Sequence, residues 1–218
     1  MELGYWGIKG IVEPIRYLLA HLLLPYKEAN PSDAEQWSIM KSELDLDFPN
    51  LPYLVDNDVR LTESDAIAMY LAIKADRLEL FGRPGVDCAR HRMLLDVLKD
   101  LRKSLFEVAM STDGKKLFDA RYEDVYVRKL GYLSRFLGDK QFLLGYLTYS
   151  DFYMLYDRSI MASVSKAVGR DDPTLLYSNL VEHTNSMKQV NGLKGYLERD
   201  IRNYFPFLIH RVDKLKIG

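Results

Sequence analysis

Among the 218 residues there is a single cysteine, Cys88, and there are only four histidines. One cysteine excludes an internal disulfide and any C-x-x-C redox pair, and it fits a reducing compartment, so the cytosol is expected. If the protein performs thiol chemistry, the thiol comes from another molecule. His21, His91, His183 and His210 are scattered, and no H-E-x-x-H, G-x-S-x-G or nucleotide-binding glycine fingerprint occurs. No metal site is expected. Cys88 and His91 fall one helical turn apart and read as a packed thiol beside a surface histidine. Long apolar runs are also missing. The longest, LLAHLLL, is broken by His21 and closed by Pro25, far short of a bilayer span. Neither sign of charge dominates: 30 basic and 31 acidic residues leave a net charge of −1. That balance argues against nucleic acid and charged membrane surfaces as partners. Glu2 leads directly into strand-like sequence, unlike a signal peptide.

What is present is an ordinary globular balance, 48% hydrophobic and 28% charged, in a chain long enough for one large domain or two small ones. The first eighty or so residues change period repeatedly. Residues 2–8 read as a strand. EPIRYLLAHLLL then places Ile15, Leu18, Leu19, Leu22 and Leu23 on one helical stripe, with Pro14 in the first turn and Pro25 ending it. A weak strand over Tyr26–Ala29 leads to a short helix over Asp33–Glu43. LPYLVD and VRLTE form a hairpin across Asp56, Asn57 and Asp58, and a helix starts at Ser64. The order is β-α-β-α-β-β-α. After FGRPG the strand signals stop, and helical patterns follow over 86–111, 116–138, 148–168, 174–190 and 193–203. The division is an α/β domain over 1–81, a linker over 82–85 and an all-α domain over 86–218.

Several stretches could carry chemistry. LGYWGIKG sets Gly4, Gly7 and Gly10 three apart, with Tyr5, Trp6 and Ile8 between them; a phosphate cradle has little use for a tyrosine and a tryptophan. In FPNLPYL, Pro52 suits either a rigid turn or a cis bond that would turn the Leu51 main chain outward toward a peptide-like ligand. In LTESDAIAMYLA, Ser64 opens a helix and suits either a plain cap or a carboxylate site at the positive helix end. Trp37 and Lys41, four apart, share a helix face. They suit either a second carboxylate or ordinary surface packing. Thr148 and Asp151 have the spacing of a capping box, with Leu147 and Phe152 available as a staple.

In this order and spacing, LGYW, DFPNLPYL, the T-E-S-D-A-I helix entry and LTYSDF resemble the cytosolic glutathione transferases, in particular the mu class and its helminth relatives. The resemblance spans essentially the whole chain. It implies a thioredoxin-like N-terminal domain, an all-α C-terminal domain, and transfer of the glutathione thiolate to hydrophobic electrophiles. Glutathione is then a co-substrate, with no prosthetic group, and the protein is a homodimer. By the same resemblance Tyr5 hydrogen-bonds the glutathione sulfur, Trp6 belongs to the glutathione-binding residues, and the glycines beside Tyr5 let substrate and backbone come close. Trp37 and Lys41 hold the glycyl carboxylate. Leu51, before Pro52 and flanked by Asn50, pairs with the cysteinyl unit. Ser64 with Glu63 meets the γ-glutamyl carboxylate, and Asp100 reaches the γ-glutamyl amine from the neighbouring subunit. Phe48 matches the aromatic key of the dimer. The acceptor site is expected to be lined by Tyr5, Ile8, Met110, Tyr204 and Phe205.

Four departures stand out from the mu pattern. Glu63 replaces a glutamine. Met69 and Ile73 replace basic residues at the two-fold axis, implying a more apolar dimer centre. The YKEANPSDAEQW stretch is short, so the loop that walls the mu acceptor site is expected to be absent. Met110 stands where mu enzymes often carry a second catalytic tyrosine, which implies a greasier acceptor pocket.

Overall fold

The structure, a computed structural model, describes residues 1–199. A four-stranded sheet of order β2-β1-β3-β4 forms from β1 (Glu2–Gly4), β2 (Lys27–Ala29), β3 (Tyr53–Asp56) and β4 (Val59–Thr62). β1 runs parallel to β2 and antiparallel to β3, and β3 pairs antiparallel with β4. Helices α1 (Glu13–His21), α2 (Ala34–Glu43) and α3 (Ser64–Lys74) complete the expected β-α-β-α-β-β-α unit. The first strand is shorter than the expected 2–8. The ladder stops at Gly4, and a last backbone bond joins the Tyr5 N–H to the Ala29 carbonyl at 3.0 Å. α1 also stops early, at His21, because Leu23 adopts a left-handed φ of 55° that no helix continues.

Two of the clustered glycines answer to neighbouring rings rather than to an approaching substrate. A Cβ on Gly4 would lie 1.9 Å from the Tyr53 ring, and one on Gly10 would lie 2.5 Å from the Tyr5 hydroxyl. Gly10 also has φ +47°, a region costly for residues with a side chain. The space these glycines leave is therefore filled by the protein's own tyrosines.

The helical unit comprises α4 (Val86–Met110), α5 (Gly114–Arg121), α6 (Arg128–Leu137), α7 (Tyr149–Ala167), α8 (Ser178–Lys188) and α9 (Leu193–Leu197). The continuous helix expected over 116–138 is interrupted by a π-helical stretch, Tyr122–Val127. Beside it the Tyr177 hydroxyl donates to the Val127 carbonyl at 2.8 Å, a contact between distant parts of the chain that local periodicity does not report. The segment expected to be helical over 174–190 divides into a short 3-10 turn, Pro173–Leu176, and α8.

The capping box at the start of α7 is present, and Asp151 does more than cap. One carboxylate oxygen accepts from the Thr148 N–H and hydroxyl, both at 2.8 Å. The other accepts from the Leu143 N–H at 2.8 Å and lies 2.9 Å from His183 Nε2. All of this is buried. His91 is not on the surface as expected: it is 3% exposed, its Nδ1 lies 2.7 Å from the Ser150 hydroxyl, and its ring packs edge-on to Phe81. Cys88 is exposed and donates to the carbonyls of Gly82 and Arg83 at 3.3 Å, so it is no partner of His91.

The two units share one core. Tyr17 of α1 meets Tyr156 of α7 edge-on, and Asp65 in the first turn of α3 accepts from Lys99 of α4 and, at 3.2 Å, from the Tyr153 hydroxyl of α7.

Candidate active site

Tyr5 follows β1 directly, and its ring is 8% exposed. Its hydroxyl accepts the Ile11 backbone N–H at 3.3 Å. A phenol that accepts there keeps its own proton to donate elsewhere. Burial pushes its pKa above the ordinary value of a tyrosine, against the opposing pull of the Ile11 N–H and the charges of Arg16 and Arg102. The group is therefore a protonated donor at neutral pH.

Arg16 anchors the loop that carries Tyr5. This guanidinium, 1% exposed on α1, makes a two-pronged bond to Glu28 of β2 at 2.7 and 2.8 Å and donates to the Ile8 carbonyl at 2.9 Å. Glu13, one turn earlier, lies 3.2 Å away. Ile8 is thereby drawn into the core, 7% exposed, and does not line the cavity described below. Trp6 is half-buried against the same core.

The Leu51–Pro52 bond is cis. Asn50 stands at its entrance. Its side-chain Oδ1 accepts the Leu51 N–H at 2.9 Å, and its Nδ2 donates to Glu63 at 3.4 Å. Glu63 itself has φ 68° and ψ 120°, an unfavourable conformation for a residue with a side chain. It precedes Ser64, which is thus the first helical residue of α3 and not its cap. No side chain caps this helix end. The first amides of α3 are consequently available to an anion, and the Ser64 hydroxyl beside them is within reach of the Tyr153 hydroxyl.

Ser64, Asp100 and Met110 come together in one cavity of about 590 Å³ between α3, α4 and α7, with Ile11, Phe106 and Arg102 also on its wall. Asp100 is largely exposed, 3.5 Å from Lys129. Trp37 and Lys41 stand apart from this cavity on α2, where the indole stacks on Tyr53 at 6.0 Å between ring centres and Lys41 is exposed in the last turn. Tyr204 and Phe205 lie outside the described residues. Among the described residues no cluster of three or more potential metal ligands occurs, and no helix is long and apolar enough to cross a membrane.

Residues 1–73 match the family profile of the glutathione S-transferase N-terminal domain, and residues 99–200 that of the C-terminal domain. The chain belongs to the glutathione S-transferase family. Glutathione S-transferase 2 of Gallus gallus is 42% identical over 165 residues, covering 72% of this chain and 73% of that one. The class-mu 26 kDa isozyme of Schistosoma japonicum is 38% identical over 162 residues, 71% of this chain and 70% of its own. Among solved structures, the glutathione S-transferase Blo t 8 superposes with a TM-score of 0.82 at 26% identity over the full length of both chains.

Sequence reasoning about this glutathione transferase missed Arg16, Glu28, Arg102 and Tyr153. Arg16 offers one weak signal, a charged residue between Ile15 and Tyr17 with an acid three positions earlier. Nothing local marks Arg102 or Tyr153, because their partners sit on other helices.

Proposed function

We propose that Tyr5 is the group through which this glutathione transferase activates its co-substrate. A free thiol has a pKa of about 8.5 and is mostly protonated at neutral pH. A fixed phenol donor stabilises the thiolate over the thiol, and each unit by which that thiol pKa falls corresponds to about 1.4 kcal/mol. The observation that carries this role is the Ile11 N–H bond to the Tyr5 oxygen, which leaves the phenol proton for sulfur. The thiolate attacks an electrophilic carbon, the new C–S bond forms, and a leaving group departs or a π bond opens. Holding both reactants in one cleft supplies much of the rate.

The α3 amides and Ser64 hold the γ-glutamyl carboxylate at the positive end of the helix. Glu63 accepts from the ligand's amine, and Trp37 and Lys41 take the glycyl carboxylate. The Leu51 main chain pairs with the cysteinyl unit. The electrophile occupies the cavity toward Phe106 and Met110.

The working form is a homodimer in the cytosol, with Asp100 serving the γ-glutamyl amine of the neighbouring subunit. Phe48, Met69 and Ile73 support an apolar contact, being 78%, 44% and 56% exposed in the single chain. Light scattering should give twice the 25.3 kDa chain mass. The decisive experiment is the ultraviolet thiolate absorbance of bound glutathione against pH, for the wild type and Tyr5→Phe. A depressed thiol pKa that reverts in the variant supports the assignment. Binding with no depression in either makes the protein a carrier.

A further inference from the structure

Arg16 stands between two carboxylates, so its cluster holds one negative charge more than the guanidinium can neutralise. Glu28 is bound by Nε and Nη2, and Glu13 lies 3.2 Å from Nη1. The Glu28 side chain is 26% exposed and can use water as well as the Tyr26 hydroxyl at 3.2 Å. Glu13 is 1% exposed and has no such outlet. A neutral donor reaches it from the helical unit: the Tyr196 hydroxyl of α9 donates to Glu13 Oε1 at 3.1 Å. That hydroxyl is held in place. The Tyr196 ring meets Tyr17 edge-on at 5.6 Å, and α9 starts so close to α1 that a Cβ on Gly192 would lie 2.0 Å from the Ala20 carbonyl oxygen. The Arg16 nitrogen that faces Glu13, Nη1, is the same one that donates to the Ile8 carbonyl at 2.9 Å. Ile8 belongs to the turn whose far end sets Gly10 and the Ile11 N–H against the Tyr5 hydroxyl. A buried carboxylate that loses one donor competes harder for a donor it shares.

We propose that Tyr196 is a positioning residue for the activation of glutathione: by satisfying Glu13 it leaves Arg16 Nη1 to the Ile8 carbonyl, and through that turn α9 sets how well the Tyr5 phenol meets the sulfur. The proposal rests on the reading of Tyr5 as the thiol donor. Without the Tyr196 hydroxyl, Glu13 draws on Nη1, the Ile8 carbonyl loses its donor, and the turn relaxes away from the Tyr5 oxygen. The phenol then points less accurately, and a donor off its line stabilises a thiolate less. Tyr196 is not on the wall of the cavity that Ser64, Asp100 and Met110 share. Its loss therefore weakens ionisation of the thiol and leaves the carboxylate contacts of glutathione alone.

The test is the thiolate absorbance of bound glutathione against pH in the full chain, for the wild type, Tyr196→Phe and Tyr177→Phe. Tyr177→Phe is the control, because it too deletes one hydroxyl that donates to an oxygen, the Val127 carbonyl, outside this cluster. In Tyr196→Phe the thiol pKa should rise by about half a unit or more, which leaves about threefold less thiolate at a pH below both pKa values. At saturating glutathione, kcat/KM for a generic aryl halide should fall by that factor there and return to the wild-type value at a pH above both. The Kd for glutathione at the lower pH should stay within about twofold. Tyr177→Phe should leave the thiol pKa unchanged, whatever it does to stability. Glu13→Gln removes the competing charge and should not raise the thiol pKa by itself. Adding Tyr196→Phe to it should then move that pKa by less than about 0.2 units. An unchanged thiol pKa in Tyr196→Phe, an equal rise in Tyr177→Phe, a rise in Glu13→Gln, or an undiminished rise on the Glu13→Gln background overturns the role of Tyr196 and leaves that of Tyr5 intact. A wild type that binds glutathione without lowering its thiol pKa overturns both.

Discussion

The Ile11 backbone N–H points at the Tyr5 oxygen, 3.3 Å away, and so fixes the direction in which the phenol can give its proton. Replacing Tyr5 with phenylalanine removes the donor and leaves the ring packing in place. The variant should bind glutathione with similar affinity and lose about a hundredfold in kcat. Isothermal titration and steady-state kinetics check both halves.

Gly10 is bound to the same geometry. With φ +47° and a would-be Cβ 2.5 Å from the Tyr5 hydroxyl, Gly10→Ala must displace either the backbone or the phenol. The expected outcome is a stability loss of about 1–2 kcal/mol together with a fall in kcat of about tenfold or more. Urea unfolding and kinetics on one preparation separate the two. Activity unchanged at reduced stability would show that the hydroxyl position is not critical.

Asp151 holds the start of α7 to the chain before it and to α8. Asp151→Ala strands the Leu143 and Thr148 amides and the His183 ring in a fully buried site. The cost should be about 3 kcal/mol or more, well beyond that of a surface helix cap. The urea midpoint reads it, and the soluble yield should fall in parallel.

His91 gives a pH dependence whose sign is fixed. Burial lowers its pKa to about 4 from the ordinary 6.5. Above pH 6.5 both folded and unfolded states hold it neutral, and it has no effect. As pH falls below 6.5 the unfolded chain takes up a proton that the folded protein refuses, so stability is lost down to about pH 4. Between pH 7 and pH 5 this amounts to about 2 kcal/mol. In His91→Leu that part of the slope should vanish from urea midpoints measured at the two values.

The sequence by itself determined the order of elements, the change from an α/β unit to a helical one, and the family. These depend on local periods and short motifs: the α1 stripe, the hairpin turn, FPNLPYL and LTYSDF are read within a dozen residues. It also singled out Tyr5 and Ser64 as candidates, because the motifs that carry the resemblance are local. Only the tertiary structure decided where the glycines' free space goes, since Gly4 faces Tyr53 some fifty positions along the chain. The same holds for Arg16, whose partner Glu28 lies on another element, for the burial of His91 against Ser150, and for the interruption before α6 beside Tyr177. Arg102 is the clearest case. Its partners are Asp157, Tyr153 and Tyr156 on α7, and the burial and company of a charge are set by packing, neither of which is written in the neighbouring letters.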